Sequence, residues 1–187
     1  MPYAGIAYTV WYVMYGRFPV SETRMRRVAM TQKIYIPEGE QAPDSQIAAT
    51  IEALAGTIAA RREAGEECYP YRLLTGELDK PLKKVMEEAC EVGLAAKDAD
   101  SALYFAREAA DLAPESDLAR DLAEEADAQV DHLRYEAADV VYHLLEVLER
   151  FGISLDEFAA EMNNRMTEEE RPEGAVRLFD KHVKRGK

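Results

Sequence analysis

Two stretches decide the fold: KKVMEEACEV at residues 83–92 and YEAADVVYH at residues 135–143. Each has the spacing of a helix and carries two acidic residues three positions apart, which lie on neighbouring turns of one helix face. The acidic residues are Glu88 with Glu91 and Glu136 with Asp139. Two such helices side by side would bring four carboxylates together, and like charges raise each other's pKa unless a cation lies among them. Mg²⁺ suits this role because it binds oxygen ligands and keeps positions for water and phosphate oxygens.

The helical phase of the first stretch favours such a site over a solvated acidic stripe, which is the alternative on an acidic helical protein. The apolar stripe of this helix consists of Val85, Ala89, Val92 and Ala96. At roughly 100° per residue, Glu88, Glu91 and Lys84 lie along one edge of this apolar stripe. Glu87 points further outward.

The second stretch repeats this arrangement. Its apolar face consists of Ala137, Ala138, Val141, Leu144, Leu145 and Leu148. Glu136, Asp139 and His143 line up along one edge of that face. Because helical bundles build metal and ligand sites from side chains that project between facing helices, both acidic edges are expected to face one site. His143 also has a simpler interpretation, as a helix histidine whose hydrogen bonds are satisfied within the fold.

Composition limits the classes of function. With 187 residues, 48% of them hydrophobic, the chain forms one domain, or one domain with an extension. The net charge of −13 argues against a nucleic-acid partner, because binding a phosphate backbone needs a basic face. A nucleotide is compatible, since a metal ion supplies positive charge locally. The two cysteines, Cys68 and Cys90, form no disulfide or metal framework, which indicates a reducing, cytoplasmic environment.

Residues 1–44 are expected to be an extension and linker, and residues 45–187 the functional domain. The apolar run at residues 4–15 is too short for a membrane span and lacks the basic start of a signal peptide, so no membrane partner is expected. Three interpretations of this region stay open. It is a strand or short helix docked on the body, a partner-binding tail, or sequence upstream of a true start at Met30.

The domain is expected to begin with a helix from Ser45 to about Arg62. A loop follows, then a short turn at residues 71–76. The helix with the first acidic pair starts at Asp79, which acts as its cap, and tolerates Pro81 in its first turn.

Residues 98–132, between the two acidic pairs, are interpreted as the elongated tip of a helical hairpin. Residues 114–116 form its turn, and each arm has about 14 residues, or roughly 21 Å of helix. The alternative is an amphipathic element that docks a partner. After a glycine stop at Gly152, a capping box at residues 154–157 opens a helix that ends at residues 171–172. A short final helix is expected at about residues 175–183.

Four segments together resemble a known family. They are CYPYRLLTG at 68–76, DKPLKKVMEEACEV at 79–92, AAK at 95–97 and YEAADVVYHLL at 135–145. They are similar to phosphoribosyl-ATP pyrophosphatases of histidine biosynthesis, within the all-α, MazG-type nucleotide pyrophosphohydrolases. The similarity covers roughly residues 47–165 apart from the hairpin insertion. It implies an all-α antiparallel helix bundle with an elongated helical hairpin, and a homodimer or larger homo-oligomer.

The resemblance also implies an activity: Mg²⁺-dependent hydrolysis of phosphoribosyl-ATP, a small-molecule nucleotide substrate, to phosphoribosyl-AMP and pyrophosphate. The expected metal ligands are Glu88, Glu91, Glu136 and Asp139. Glu87 or Glu88 is the expected catalytic base. The expected substrate-binding residues are Lys83, Lys84, Arg62, Tyr69 and Arg72, for which solvated or loop roles are the simpler alternative.

Three other functions compete with this one. The first is a house-cleaning pyrophosphohydrolase that acts on dUTP or damaged nucleotides. The second is a non-enzymatic helical interaction protein, which would show no Mg²⁺-dependent activity. The third, a di-iron bundle, is disfavoured because neither acidic pair has the Glu-x-x-His form of such sites.

Overall fold

The computed structural model of the protein describes residue 39, residues 41–42 and residues 44–178. In this part of the chain there are five α-helices and no strand. The helices are α1 (Gln46–Ala60), which continues into a 3₁₀ turn (Arg61–Glu63), α2 (Tyr69–Thr75), α3 (Asp79–Leu112), α4 (Asp117–Arg150) and α5 (Leu155–Asn163). The predicted all-α class is confirmed. Residues 1–38, which make up most of the predicted extension, lie outside the described part, and the division at residue 45 stays a prediction.

A hairpin of two long helices dominates the fold. α3 and α4 have 34 residues each, about 51 Å at 1.5 Å per residue. The connection at residues 113–116 is short, and Ser116 caps α4 by accepting a hydrogen bond from the Ala119 amide at 3.1 Å. The predicted arms are therefore direct continuations of the helices that carry the acidic pairs. Alanines occupy the seam between the two helices, which lets their backbones approach closely. They are Ala95, Ala99, Ala106, Ala119 and Ala126.

The hydrophobic core lies at the base of the hairpin, where α1 and α2 cover the last turns of α4. Its centre consists of Ile58, Leu74 and Leu145, each no more than 4% exposed. Arg150 ties α2 to α4 by donating hydrogen bonds to the carbonyls of Leu73 at 2.7 Å and Gly76 at 2.6 Å. The site-bearing half of the hairpin is thereby anchored.

Two predicted signals around α5 are confirmed. Ser154 and Glu157 form a full capping box at the start of the helix. Gly152 has a φ of 66°, a left-handed conformation that glycine adopts without strain. The preceding helix therefore stops where the sequence indicates.

Other predicted boundaries are wrong. Residues 71–75 are not a turn, because they belong to α2, whose second position holds Pro70; Gly76 follows the helix as its cap. Asp79 lies inside α3 and makes no side-chain cap. α5 ends at Asn163, not at residues 171–172, because the Arg171 side chain folds back and donates to the Asn163 carbonyl at 3.0 Å.

The predicted final helix at about residues 175–183 is wrong for the residues of this range that the structure describes. Residues 175–178 are not helical, and residues 179–183 lie outside the described part. The side chains of Asn163 and Asn164 donate instead to the carbonyls of Val176 at 3.0 Å and Leu178 at 2.9 Å. These two carbonyls are therefore hydrogen-bonded to side chains at the end of α5, and not to the backbone amides of a further helix.

None of the described helices carries an apolar stretch long enough to cross a membrane.

Candidate functional site

Glu88 and Glu136, one acidic residue of each predicted pair, lie within the seam between α3 and α4 rather than at the edge of its apolar stripe. The buried positions of α3 are Pro81, Glu88, Ala95, Ala99 and Ala106. Most of these recur every seven residues, the period with which two long helices keep one face together. The prediction that Ala89 belongs to the inward stripe is wrong, because Ala89 is exposed while Glu88 is buried.

The same correction applies to α4. Ala137, Ala138 and Val141, predicted to face inward, are exposed. Glu136 and His143, predicted on the edge of the apolar face, are 7% exposed each. The site is therefore built into the helix contact, where side chains have little freedom to move.

Three of the four predicted metal ligands come together in this seam. One carboxylate oxygen from each of Glu88, Glu91 and Glu136 lies within 4.8 Å of the other two. Glu88 and Glu136 are buried and Glu91 is half-buried. Asp139, the fourth predicted ligand, is half-buried one turn further along α4 and outside this close group. We refer to Glu88, Glu91 and Glu136 as the acidic cluster.

Lys84 supplies positive charge at one end of the acidic cluster. Its amine donates a hydrogen bond to Oε1 of Glu88 and lies 3.6 Å from Oε2 of Glu87. The hydrogen bond from Lys84 is the main cause that lowers the pKa of Glu88, and the same bond raises the pKa of Lys84. Glu88 is therefore held ionised, although burial opposes its charge.

Glu91 behaves in the opposite way. A hydrogen bond to Glu88, together with burial and the charge of Glu88, raises the pKa of Glu91. A raised pKa at a carboxyl group beside another carboxylate indicates more negative charge than the surrounding groups neutralise. Carboxylate oxygens are the donors that hard divalent cations such as Mg²⁺ prefer, so the residues of the acidic cluster fit that class of ion.

Two histidines border the acidic cluster. His132, half-exposed, places Nε2 2.8 Å from Oε1 of Glu136. His143, buried, places Nε2 3.8 Å from Oε1 of Glu88 and Nδ1 2.7 Å from Oε2 of Glu146. The role of Glu146 was missed from the sequence. Its only signal is an acid inside an apolar run, LLEVL at residues 144–148.

The predicted substrate-binding residues fall into two groups. Lys83 and Lys84 lie on α3. Lys84 contacts Glu88 of the acidic cluster, and Lys83 lines an open surface groove together with Glu87. Tyr69 lies near enough to Lys84 to contribute to the rise in its pKa.

The two arginines have structural partners. Arg62 donates to Oε1 of Glu149 at 2.6 Å and to its carbonyl at 2.5 Å. Arg72 donates to the carbonyls of Glu66 and Glu67 at 2.9 and 3.3 Å, and its guanidinium lies over the Tyr69 ring. These contacts fix the base of the hairpin and the loop before α2, and a role in substrate binding stays a prediction.

One known protein family matches the region of the chain that carries the acidic cluster. The family described as phosphoribosyl-ATP pyrophosphohydrolase matches residues 51–166, which include both acidic pairs and the whole hairpin.

Individual relatives are similar over the same region. The chain is 33% identical over 127 residues to the histidine biosynthesis bifunctional protein HisIE of Deinococcus radiodurans, covering 67% of this chain and 45% of that protein. It is 33% identical to the phosphoribosyl-ATP pyrophosphatase of Methylobacterium nodulans, covering 60% of this chain and 78% of the relative. For the phosphoribosyl-ATP pyrophosphatase of Limosilactobacillus fermentum the identity is 32%, with 62% and 82% covered. This chain thus spans less than half of the bifunctional relative but most of the two shorter ones. No solved structure gives a significant match.

Proposed function

The chain belongs to the phosphoribosyl-ATP pyrophosphohydrolase family, and we propose that it hydrolyses phosphoribosyl-ATP to phosphoribosyl-AMP and pyrophosphate in histidine biosynthesis. The observation that carries this proposal is the acidic cluster, which lies on the two helices that the family match covers. A nucleotide triphosphate brings several negative charges to a chain whose net charge is already −13. Such a substrate needs a local cation, and the acidic cluster is where one would bind.

The acidic cluster, with Asp139 as a fourth ligand, would hold Mg²⁺. When bound, such an ion neutralises phosphate charge and lowers the pKa of a nearby water. The position of the carboxylates within the helix contact supports this role, because the buried side chains of Glu88 and Glu136 have little freedom to move. A preorganised set of ligands binds its ion without a large loss of side-chain entropy.

Glu87 would serve as the general base. It lies next to the cluster residue Glu88 in the chain but is exposed, and it lines the groove that Lys83 also lines. A carboxylate outside the metal ligands is free to accept the proton of the attacking water. The water oxygen bonds to one phosphorus of the α–β anhydride, and the bridging oxygen leaves with the other phosphorus.

Lys83 and Lys84 would bind the phosphates. Lys84 contacts Glu88 through a long flexible side chain, and a cation at the cluster would take over the neutralisation of Glu88. The amine is then free to donate to a phosphate oxygen, as a point charge of the kind that commonly binds phosphates. Tyr69, Arg72 and Arg62 would contact the ribose-phosphate or base, in addition to their structural partners.

The test is a pyrophosphate-release assay with phosphoribosyl-ATP, with and without Mg²⁺. Glu88→Gln and Asp139→Asn should each lower turnover by at least about 100-fold while the helical circular dichroism signal is kept. Glu124→Gln, which removes an exposed acid from α4, is the matched control and should keep full activity. Release that persists in Glu88→Gln, or that needs no divalent cation, would disprove the assignment. A panel with dUTP and other triphosphates would reveal a house-cleaning enzyme through faster turnover of one of them.

We also propose that the protein is a homodimer or a larger homo-oligomer. Large apolar side chains on the outer face of α3 are exposed, among them Met86 at 74% and Leu94 at 61%. On α4, Ala137, Ala138 and Val141 are exposed as well. Surfaces of this kind usually mark a protein contact. Light scattering that gives a monomer mass at micromolar concentration would contradict the proposal.

A further inference from the structure

A histidine and a glutamate form a buried pair next to the acidic cluster. Nδ1 of His143 lies 2.7 Å from Oε2 of Glu146, one turn further along α4. His143 is 7% exposed and Glu146 is 1% exposed. The other ring nitrogen, Nε2, lies 3.8 Å from Oε1 of Glu88. The pair therefore connects the interior of the bundle to one residue of the acidic cluster.

Packing does not account for Glu146. Burying a carboxyl group is costly unless it is hydrogen-bonded, and an apolar side chain of similar volume would fill the same space at lower cost. Oε1 of Glu146 has no hydrogen-bond partner among the described residues. The hydrogen bond of this side chain in the described part of the structure is with Nδ1 of the His143 ring, at 2.7 Å. Its main structural effect is thus to fix how the His143 ring is oriented.

Fixing the ring gives Nε2 a defined direction. Nδ1 is engaged by Glu146, and within the described part of the chain Nε2 has Glu88 as its near polar neighbour. A separation of 3.8 Å is too long for a hydrogen bond, and Nε2 attracts the Glu88 carboxylate when it carries a proton. Lys84 donates a hydrogen bond to the same oxygen, Oε1 of Glu88.

We propose that His143 is a positioning residue of the cation site: Glu146 fixes its ring, and its Nε2 keeps the Glu88 carboxylate where it binds the cation. This role depends on the cation site proposed above. It adds an outer layer to that site, of the kind that orients ligands and whose loss typically lowers metal affinity by about 10- to 100-fold. Neither the reaction nor the core requires this pair otherwise.

Two variants of His143 distinguish the roles of its two ring nitrogens. In His143→Asn the amide stands where Nδ1 stands, so the bond to Glu146 is kept and the reach to Glu88 is lost. In His143→Gln the longer side chain places its amide near the Nε2 position. We expect His143→Asn to bind Mn²⁺, measured by electron paramagnetic resonance, about 10- to 100-fold more weakly than the unmodified protein. His143→Gln should bind within about tenfold of the unmodified protein.

Tyr142→Phe is the matched control, because it removes a hydroxyl near Glu146 and leaves both ring nitrogens of His143 in place. Its Mn²⁺ affinity should stay within about twofold of the unmodified protein. Unchanged affinity in His143→Asn would overturn the proposal. Equal losses in His143→Asn and His143→Gln would also overturn it, since they would mean that the ring matters only for packing.

A measurement on the unmodified protein keeps the proposal testable if a variant fails to fold. The chain has three histidines, so the ring ¹⁵N resonances are few and can be assigned with single substitutions. Addition of Mg²⁺ should shift the Nε2 resonance of His143 more than its Nδ1 resonance, and equal or absent shifts at saturating Mg²⁺ would refute the role. If the unmodified protein binds neither Mn²⁺ nor Mg²⁺, the cation site and this inference fail together. If it binds Mn²⁺ and His143→Asn binds equally well, only this inference fails.

Discussion

Replacing Glu136 by glutamine should stabilise the cation-free protein and weaken its response to Mg²⁺. Oxygens of Glu136 and Glu88 lie within 4.8 Å of each other, and both side chains are buried. At an effective dielectric constant of about 20, two charges at this distance repel by roughly 3.5 kcal/mol. Glutamine keeps the shape of the side chain and removes this repulsion.

Two effects offset part of this gain in stability. Glu136 also pairs with Nε2 of His132, a half-exposed side chain, and such a pair contributes about 0–1 kcal/mol. Water that reaches the half-buried Glu91 screens the repulsion further. We therefore expect a net stabilisation of about 1–2 kcal/mol, which corresponds to a rise in melting temperature of roughly 2–8 °C for a chain of this size.

When a cation is present, the unmodified protein should be more stable than the Glu136→Gln variant. At a Mg²⁺ concentration of about 100 times its dissociation constant, the unmodified protein gains roughly 2.7 kcal/mol, and a variant that has lost a ligand gains less. Thermal melts followed by circular dichroism, in EDTA and in saturating Mg²⁺, test both halves. Glu124→Gln should leave the melting temperature unchanged in both buffers. A lower melting temperature of Glu136→Gln in EDTA, or a Mg²⁺ response equal to that of the unmodified protein, would refute the reasoning.

Three further predictions concern pH, the hairpin base and the core. Because Glu88 raises the pKa of Glu91, Glu91 takes up its proton at a higher pH than an ordinary glutamate. Mn²⁺ affinity should therefore fall as the pH is lowered from about 7 to about 5, and calorimetry that shows a flat profile would contradict this. Arg62→Ala should cost about 1–3 kcal/mol in urea unfolding, because Glu149 loses a charged partner, whereas the exposed neighbour Arg61→Ala should cost less than about 0.5 kcal/mol. Ile58→Ala should cost about 2–5 kcal/mol, since the side chain is 1% exposed and its loss leaves a cavity; a change below about 1 kcal/mol in the same assay would mean that the core lies elsewhere.

Much of the fold follows from local signals that act over a few residues. The capping box at Ser154 and Glu157, the stop at Gly152 and the turn at residues 113–116 all lie where their residue types indicate. The equal arms of the hairpin follow from an uninterrupted helical pattern on both sides of that turn. The grouping of Glu88, Glu91 and Glu136 was also predictable, because acids three positions apart share a helix face and the two helices are neighbours in a short hairpin.

Other features depend on which surfaces meet. The predicted apolar faces are right at Leu145 and Leu148 but wrong at Ala89 and Ala137. Two long helices packed along a seven-residue repeat bury Glu88 and Glu136 instead. The partners of Arg62 and Arg171 lie 87 and 8 residues away in the chain, at places that no local pattern specifies.

The sequence by itself thus determined the helical class, the hairpin and the acidic pairs, since each depends on residue type and spacing within a few turns. Only the tertiary structure decided which helix faces are buried, that Asp139 stands apart from the closest three carboxylates, and that Glu146 lies behind His143. The physical reason is that burial is settled by the competition among all apolar surfaces for one contact. A carboxylate in that contact is stabilised by partners that the chain brings from elsewhere.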